Sequence, residues 1–333
     1  MALPKSHRMR VAVIGCGGWG RNHVRTFAAL GALGAVCDMD ARVAGDAAAA
    51  AGVPAAPLDG ILADPAIDAV VVATPDATHA AVAAAALAAA KHVLVEKPMA
   101  MAVADAKALA ARAREAGRVL MVGHILRYHP AFLRLEALAR EGALGPLAHV
   151  SSKRLHLAGG APRHALWDLA PHDVSMVLAL AGRLPVAVRA QGAAPGTGAP
   201  VRLASLALDF GAGLTADIAL SAVHPVKLHQ ICVSGGVAQA VFEDSRPWGE
   251  KLALHRPGLV PTPGAAPTRW PVAVTPGEPL AEEARAFLAA IDGGPAPASG
   301  PEEGLSVIRV LAACARALET GRSVPLDSAT PEP

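Results

Sequence analysis

Along residues 10–123 short runs of β-branched and other apolar residues alternate with alanine-rich stretches of helical length. The runs RVAVIG (10–15), GAVCD (34–38), IDAVVVAT (67–74), HVLVE (92–96) and RVLMVG (118–123) are almost continuously apolar. That is the pattern of strands buried on both faces. The segments 19–30, 41–51, 77–90 and 103–116 between them read as helices. Strand–helix alternation at this spacing predicts an α/β domain with a doubly wound parallel sheet.

After Gly123 the pattern changes. A helical segment, HPAFLRLEALAREG, leads into LAHVSSKRLHLA, and strand-like RLASLALDF, GLTADIALSAV and HQICVSGGVAQAVFED follow closely. Strands this near in sequence predict a second, α+β domain with a large, mostly antiparallel open sheet, and WDLAPHDVSMVLAL reads as a helix laid against it. Residues 257–279 hold seven prolines and read as loop. Helices are expected near 280–291 and 302–320, the second capped by Gly321. The expected domains are 1–123, the doubly wound α/β domain, and 124–333, the α+β domain.

Composition narrows the function. At 333 residues the chain exceeds the usual size of one core. It is 53% hydrophobic, with a mean hydropathy of +0.38. The purest apolar run, Ala80 to Ala90, is nevertheless too short for a span of about 20 residues. MALPKSHRMR passes straight into VAVIG without the apolar core of a signal peptide. A net charge of +2 gives no electrostatic case for nucleic acid. The four cysteines, Cys16, Cys37, Cys232 and Cys314, lack zinc spacing and read as reduced thiols of a cytoplasmic chain. None of the thirteen histidines shares ligand spacing with a Cys or carboxylate, so no metal is expected.

Two motifs carry the first chemistry. VAVIGCGGWGRNH contains Gly15-x-Gly17-x-x-Gly20 between a strand and a helix, with Gly18 and Trp19 inside the turn. Such glycines permit a tight turn and let a pyrophosphate approach the helix N-terminus. Asp38 ends the second strand, where ribose hydroxyls are bound and a 2′-phosphate is repelled. This favours NAD, while nearby Arg42 leaves NADP open. VLVEKPMA then places Glu96 and Lys97 at the end of an apolar strand, with Pro98 constraining the backbone, in a cis or trans bond.

GCGGWGRNHVRTF, ATPDATHA, VEKPMA and VGHILRYHP together resemble the Gfo/Idh/MocA family of sugar and cyclitol oxidoreductases, over essentially the whole chain. The stretches RYHPAF, LWDLAPHD, HPVK and RPWGEKL are most similar to its branch of UDP-N-acetyl-2-amino-2-deoxyglucuronate 3-dehydrogenases. The resemblance implies that Lys97 sits beside the reacting hydroxyl and the nicotinamide, with Glu96 near the nicotinamide ribose. Thr74, Pro75, His79 and Trp19 would line the cofactor, and His124, Arg127 and Tyr128 would face the substrate. It also implies that 1–123 is an NAD(P)-binding Rossmann domain, that 124–333 is a substrate-binding and oligomerisation domain, and that the chain forms a homodimer or homotetramer.

Asp168-x-x-x-His172 places two side chains one helical turn apart, and the family's alcohol dehydrogenases use this pair. Imidazole, with a pKa near 6.5, suits proton abstraction from an alcohol at neutral pH. Asp168 would orient the ring, and Lys97 would stabilise developing charge on oxygen. In carrying an acid at 168 the chain is similar to the inositol-dehydrogenase-like members. Trp167 reads as a stacking surface or a packed core residue. Lys153, Arg154, Arg163 and Lys227 read as ligands of a diphosphate or carboxylate, or as solvated strand ends. On the alternative reading His172 caps or packs inside a helix and Asp173 is a surface charge; Glu302 and Glu303 read as helix-dipole partners. The expected function is NAD-dependent oxidation of a sugar or nucleotide-sugar hydroxyl, at C3 of a UDP-sugar. The alternatives are a dehydrogenase or ketoreductase of a free sugar, cyclitol or amino sugar, and a silent sugar or dinucleotide sensor. A sensor would lack Lys97 or His172.

Overall fold

The structure, a computed structural model, describes residues 9–157, 164–194, 196, 199–256 and 268–326. Arg163 and residues 257–267 lie outside them. The chain forms two compact units, residues 1–125 with 278–305, and residues 126–277 with 306–333. The segment 278–305 therefore clusters with the first unit, which a cut at 123/124 leaves out.

In the first unit five parallel strands, β1 (Val11–Ile14), β2 (Leu33–Cys37), β3 (Ala69–Val72), β4 (His92–Val95) and β5 (Leu120–Val122), form a sheet of order β2-β1-β3-β4-β5. Every residue of β1, β3 and β5 is buried, which is why these runs carry no polar alternation. The connecting helices are α1 (Gly20–Ala29), α2 (Ala41–Ala51), α3 (Leu58–Ala63), α4 (His79–Ala88) and α5 (Val103–Glu115). The strand order reverses between β1 and β3, so the carboxyl ends of these strands border the crevice where open α/β sheets bind ligands. The short helix α3, in PLDGILA, went unread in the sequence because it buries one residue, Ile61.

The second unit holds α6 (Pro130–Arg140), a π-helical turn (Ala165–Leu169) running into α7 (Ala170–Ala181), and a nine-stranded sheet. Its strands are β6 (Leu147–Leu157), β7 (Ala187–Ala193), β8 (Leu203–Asp209), β9 (Thr215–Ser221), β10 (Val223–Gly235), β11 (Gln239–Glu243), β12 (Leu252–Arg256), β13 (Thr268–Pro271) and β14 (Val324–Pro325). The order is β13-β12-β11-β10-β6-β9-β8-β7-β14. Only the β6–β9 pair is parallel among the described strands. Strict alternation of buried and exposed residues in β8 buries one face of the sheet, and α7 packs on β6 and β9.

Two expectations are corrected here. HQICVSGGVAQAVFED is a hairpin rather than one strand. Its turn needs Gly235, where a Cβ would stand 2.1 Å from the Leu144 carbonyl oxygen. The proline-rich stretch expected as loop contains β13, whose Pro271 needs no ladder N–H at the sheet's edge. Two helices close the described chain, α8 (Pro279–Ile291), which packs on α1 within the first unit, and α9 (Pro301–Thr320).

Candidate active site

The glycine turn between β1 and α1 separates its three roles. Gly15 has φ +91°, and a Cβ there would lie 2.5 Å from the Ala73 carbonyl oxygen, so the tight turn at β3 requires glycine. A Cβ on Gly20 would stand 1.8 Å from the Gly15 carbonyl oxygen, which fixes how closely α1 packs on β1. A Cβ at Gly17 or Gly18 would meet nothing within 4 Å. Helix α1 also begins without a side-chain cap and without an acidic residue in its first turn. Open space against an uncapped helix N-terminus suits a pyrophosphate. Asp38 accepts hydrogen bonds from the backbone N–H groups of Cys16 (2.7 Å) and Asp40 (3.0 Å). Its carboxylate is thereby held at the end of β2 beside the turn. These residues fit a dinucleotide, and they fit a ribose diol better than a 2′-phosphate.

At the end of β4, Glu96 accepts three hydrogen bonds: from the Trp19 indole N–H, from His23 Nε2 (2.7 Å) and from the backbone N–H of Lys97 (3.1 Å). These bonds and the nearby Lys97 charge hold its carboxyl below the usual range despite burial. Trp19 keeps nearly half its surface exposed, so the indole is tethered by one edge with its body free for a ligand. The Lys97–Pro98 bond is cis, and Lys97 is half-buried. His79 is buried, its two ring nitrogens facing the carbonyl oxygens of Pro98 and Thr74, each at 2.8 Å. It ties the two loops together, the second of which also carries Pro75. His124, buried after β5, bonds Glu303 Oε2 at 2.8 Å.

The second unit has its own polar cluster. Alternation along β6 buries Ser152 and Arg154 and exposes Lys153. Ser152 Oγ and Arg154 Nε both donate to Asp173, which is buried on α7 and is not a surface charge. These bonds hold α7, and with it His172, to the sheet. Arg154 Nη1 stands 3.5 Å from His229 Nδ1, opposite it on β10. Burial and the charges of Arg154 and Lys227 push the His229 pKa down to about 3. Asp168 Oδ2 accepts from the backbone N–H of His164 (2.7 Å), so it braces the π turn that precedes α7. Trp167, Asp168 and His172 are half-buried. Arg127 and Tyr128 are buried before α6, with Arg127 lying 3.7 Å from Glu136. Among the described residues no group of three or more His, Cys, Asp or Glu is placed to hold a metal ion.

Residues 9–124 match the family described as "Oxidoreductase family, NAD-binding Rossmann fold", Gfo/Idh/MocA. A curated relative, UDP-N-acetylglucosamine 3-dehydrogenase of Acidithiobacillus ferrooxidans, is 34% identical over 291 residues, 85% of this chain and 88% of that one. The chain belongs to the Gfo/Idh/MocA family of oxidoreductases. Among solved structures, that dehydrogenase, GnnA, superposes with a TM-score of 0.84 at 31% identity, covering 93% of this chain and 97% of the other. GenD2 from gentamicin A biosynthesis, in complex with NAD, gives 0.84 at 27% identity over 98% and 100%. This Gfo/Idh/MocA member is thus an NAD-binding oxidoreductase built on a Rossmann domain. No helix among its described residues is long and apolar enough to cross a membrane.

Three functional candidates escaped the sequence reading. His23 stands in the quoted GRNH and bonds Glu96; its position three residues after Gly20, on the face of α1 that turns inward, was the available signal. Asp173 and His229 gave none, because their partners lie 19 and 75 residues away.

Proposed function

We propose that this chain oxidises a secondary hydroxyl of a sugar, with C3 of a UDP-sugar as the leading site. The observation that carries this reading is the near full-length likeness to UDP-N-acetylglucosamine 3-dehydrogenase in a chain that has both Lys97 and His172. NAD, when bound, supplies the hydride acceptor. Gly17, Gly18 and the α1 N-terminus hold its pyrophosphate, Asp38 its adenosine ribose, and Trp19, Thr74, Pro75 and His79 the surrounding wall. Glu96 faces the nicotinamide ribose. Lys97 stabilises charge developing on the reacting oxygen, and His172 accepts the hydroxyl proton, with Asp168 orienting it. His124, Arg127, Tyr128, Lys153 and Trp167 contact the sugar. Arg154 supports them through Asp173, which fixes the helix carrying His172. The reading includes a homodimer or homotetramer, in the cytoplasm.

A second reading, a cyclitol or amino-sugar substrate, is favoured by the acid at position 168. Mixing the protein and NAD with UDP-N-acetylglucosamine, its uronate, myo-inositol and glucose separately, and following NADH absorbance, tests both. NADH with the UDP-sugars supports the leading reading. NADH with myo-inositol or glucose alone transfers support to the second. Tight NAD and sugar binding without any NADH would contradict both, in favour of a sensor.

A further inference from the structure

Glu283, in the first turns of α8, is fully buried, and neither of its carboxyl oxygens has a hydrogen-bond partner among the described residues. An ionised carboxylate left so would be costly, so the group keeps its proton. Burial and the negative charges of Glu96 and Glu278 push its pKa well above the carboxylate range. Glu96 takes the opposite state because it accepts three hydrogen bonds where Glu283 accepts none. Two carboxyls within electrostatic reach share one charge, and the donors decide which holds it.

His23 lies on α1, the helix on which α8 packs. Its Nε2 faces the Glu96 carboxylate, which only accepts, so Nε2 carries the hydrogen. Its Nδ1 is buried and has no partner. The ring thus has a lone pair lacking a donor, and Glu283 has a proton lacking an acceptor. Each group supplies what the other needs.

We propose that Glu283 is a positioning residue for the dinucleotide site, its carboxyl donating through one buried water to His23 Nδ1 and so holding the ring with its Nε2–H on Glu96. Anchoring Nδ1 fixes the ring against the acceptor side of Glu96, and with it the tether of the Trp19 indole. One water between such groups is ordinary in protein interiors, where it satisfies buried polar atoms. The inference rests on the reading of Glu96 and Trp19 as cofactor-facing residues, and wild-type NAD affinity tests that reading separately.

The test uses the full chain with Glu283→Gln, whose amide donates without titrating, and Glu283→Leu, which cannot donate. Side-chain nitrogen NMR reads the tautomer of His23, assigned by its loss in His23→Asn, and titration with NAD gives Kd. In wild type and Glu283→Gln we expect Nε2–H with a hydrogen-bonded Nδ1 and NAD affinity alike within about threefold. Glu283→Leu should keep Nε2–H, since Glu96 still only accepts, but shift the Nδ1 resonance as its hydrogen bond is lost, and weaken NAD binding roughly tenfold. A wild-type ring protonated at Nδ1 overturns the proposal even if Glu283→Leu does not fold. So does a folded Glu283→Leu with an unchanged Nδ1 resonance and Kd, or a Glu283→Gln that behaves like Glu283→Leu.

Discussion

The carboxyl edge of the five-stranded sheet and the β6–α7 face of the nine-stranded sheet both gather polar groups, but from different materials. The first is largely backbone: a five-residue turn, a helix N-terminus, and strand ends that hold Asp38 and Glu96. The second is side chain on side chain, with Ser152, Arg154, Asp173 and His229 meeting across helix and sheet. A backbone site is written in consecutive residues, because the glycines it needs are neighbours in the chain. A side-chain site depends on register and packing, which only the folded sheet supplies.

If the second site is held by its buried pair, breaking that pair should have the largest effect on the fold. Asp173→Ala leaves the Arg154 guanidinium buried and unpaired. It should cost about 3–5 kcal/mol in urea unfolding, and Asp173→Asn, which keeps an acceptor for Ser152, less. A loss under about 1 kcal/mol would mean that α7 is held by apolar packing instead.

The glycine turn should respond differently at positions three residues apart. Gly20→Ala forces a methyl group into the Gly15 carbonyl and should cost about 3 kcal/mol of stability. Gly17→Ala meets no protein atom, so its stability should change by under about 0.5 kcal/mol. The same methyl group takes space needed by a pyrophosphate, and the NAD Kd should rise at least about tenfold. Equal stability losses at both positions would contradict the division of roles.

The same contrast explains what the sequence reveals. The five parallel strands and α1, α2, α4 and α5 could be placed because each strand is apolar throughout and each helix lies between two of them. The strands β12 and β13 are short, with β13 at the sheet edge and β12 beside it, and ladder partners rather than composition make them strands. In the site, Asp38, Glu96 and Lys97 were legible as strand-end residues. Asp173 was open to reading as a surface charge, and nothing local separates Glu283 from a residue on the solvated face of its helix, because burial of a charge leaves no local mark.

A smaller effect, a slope with pH, distinguishes Glu283 from that solvated reading. The unfolded chain releases this proton in the ordinary carboxylate range, while the folded chain keeps it to higher pH. Above that range the folded state binds more protons, so stability falls as pH rises, by at most about 1.4 kcal/mol per unit. Melting temperatures from about pH 5 to about pH 8 should therefore decline more steeply in wild type than in Glu283→Gln. Parallel curves would show that the proton is not held.

The most direct test of the whole account separates chemistry from cofactor holding at Lys97, the residue after β4 proposed to stabilise charge on the reacting oxygen. With the substrate that yields NADH, kcat and NAD Kd are measured on one preparation of Lys97→Met. The account predicts a fall in kcat of about a thousandfold or more with Kd changed by less than about threefold. Retained turnover, or turnover and NAD affinity lost together, would contradict it.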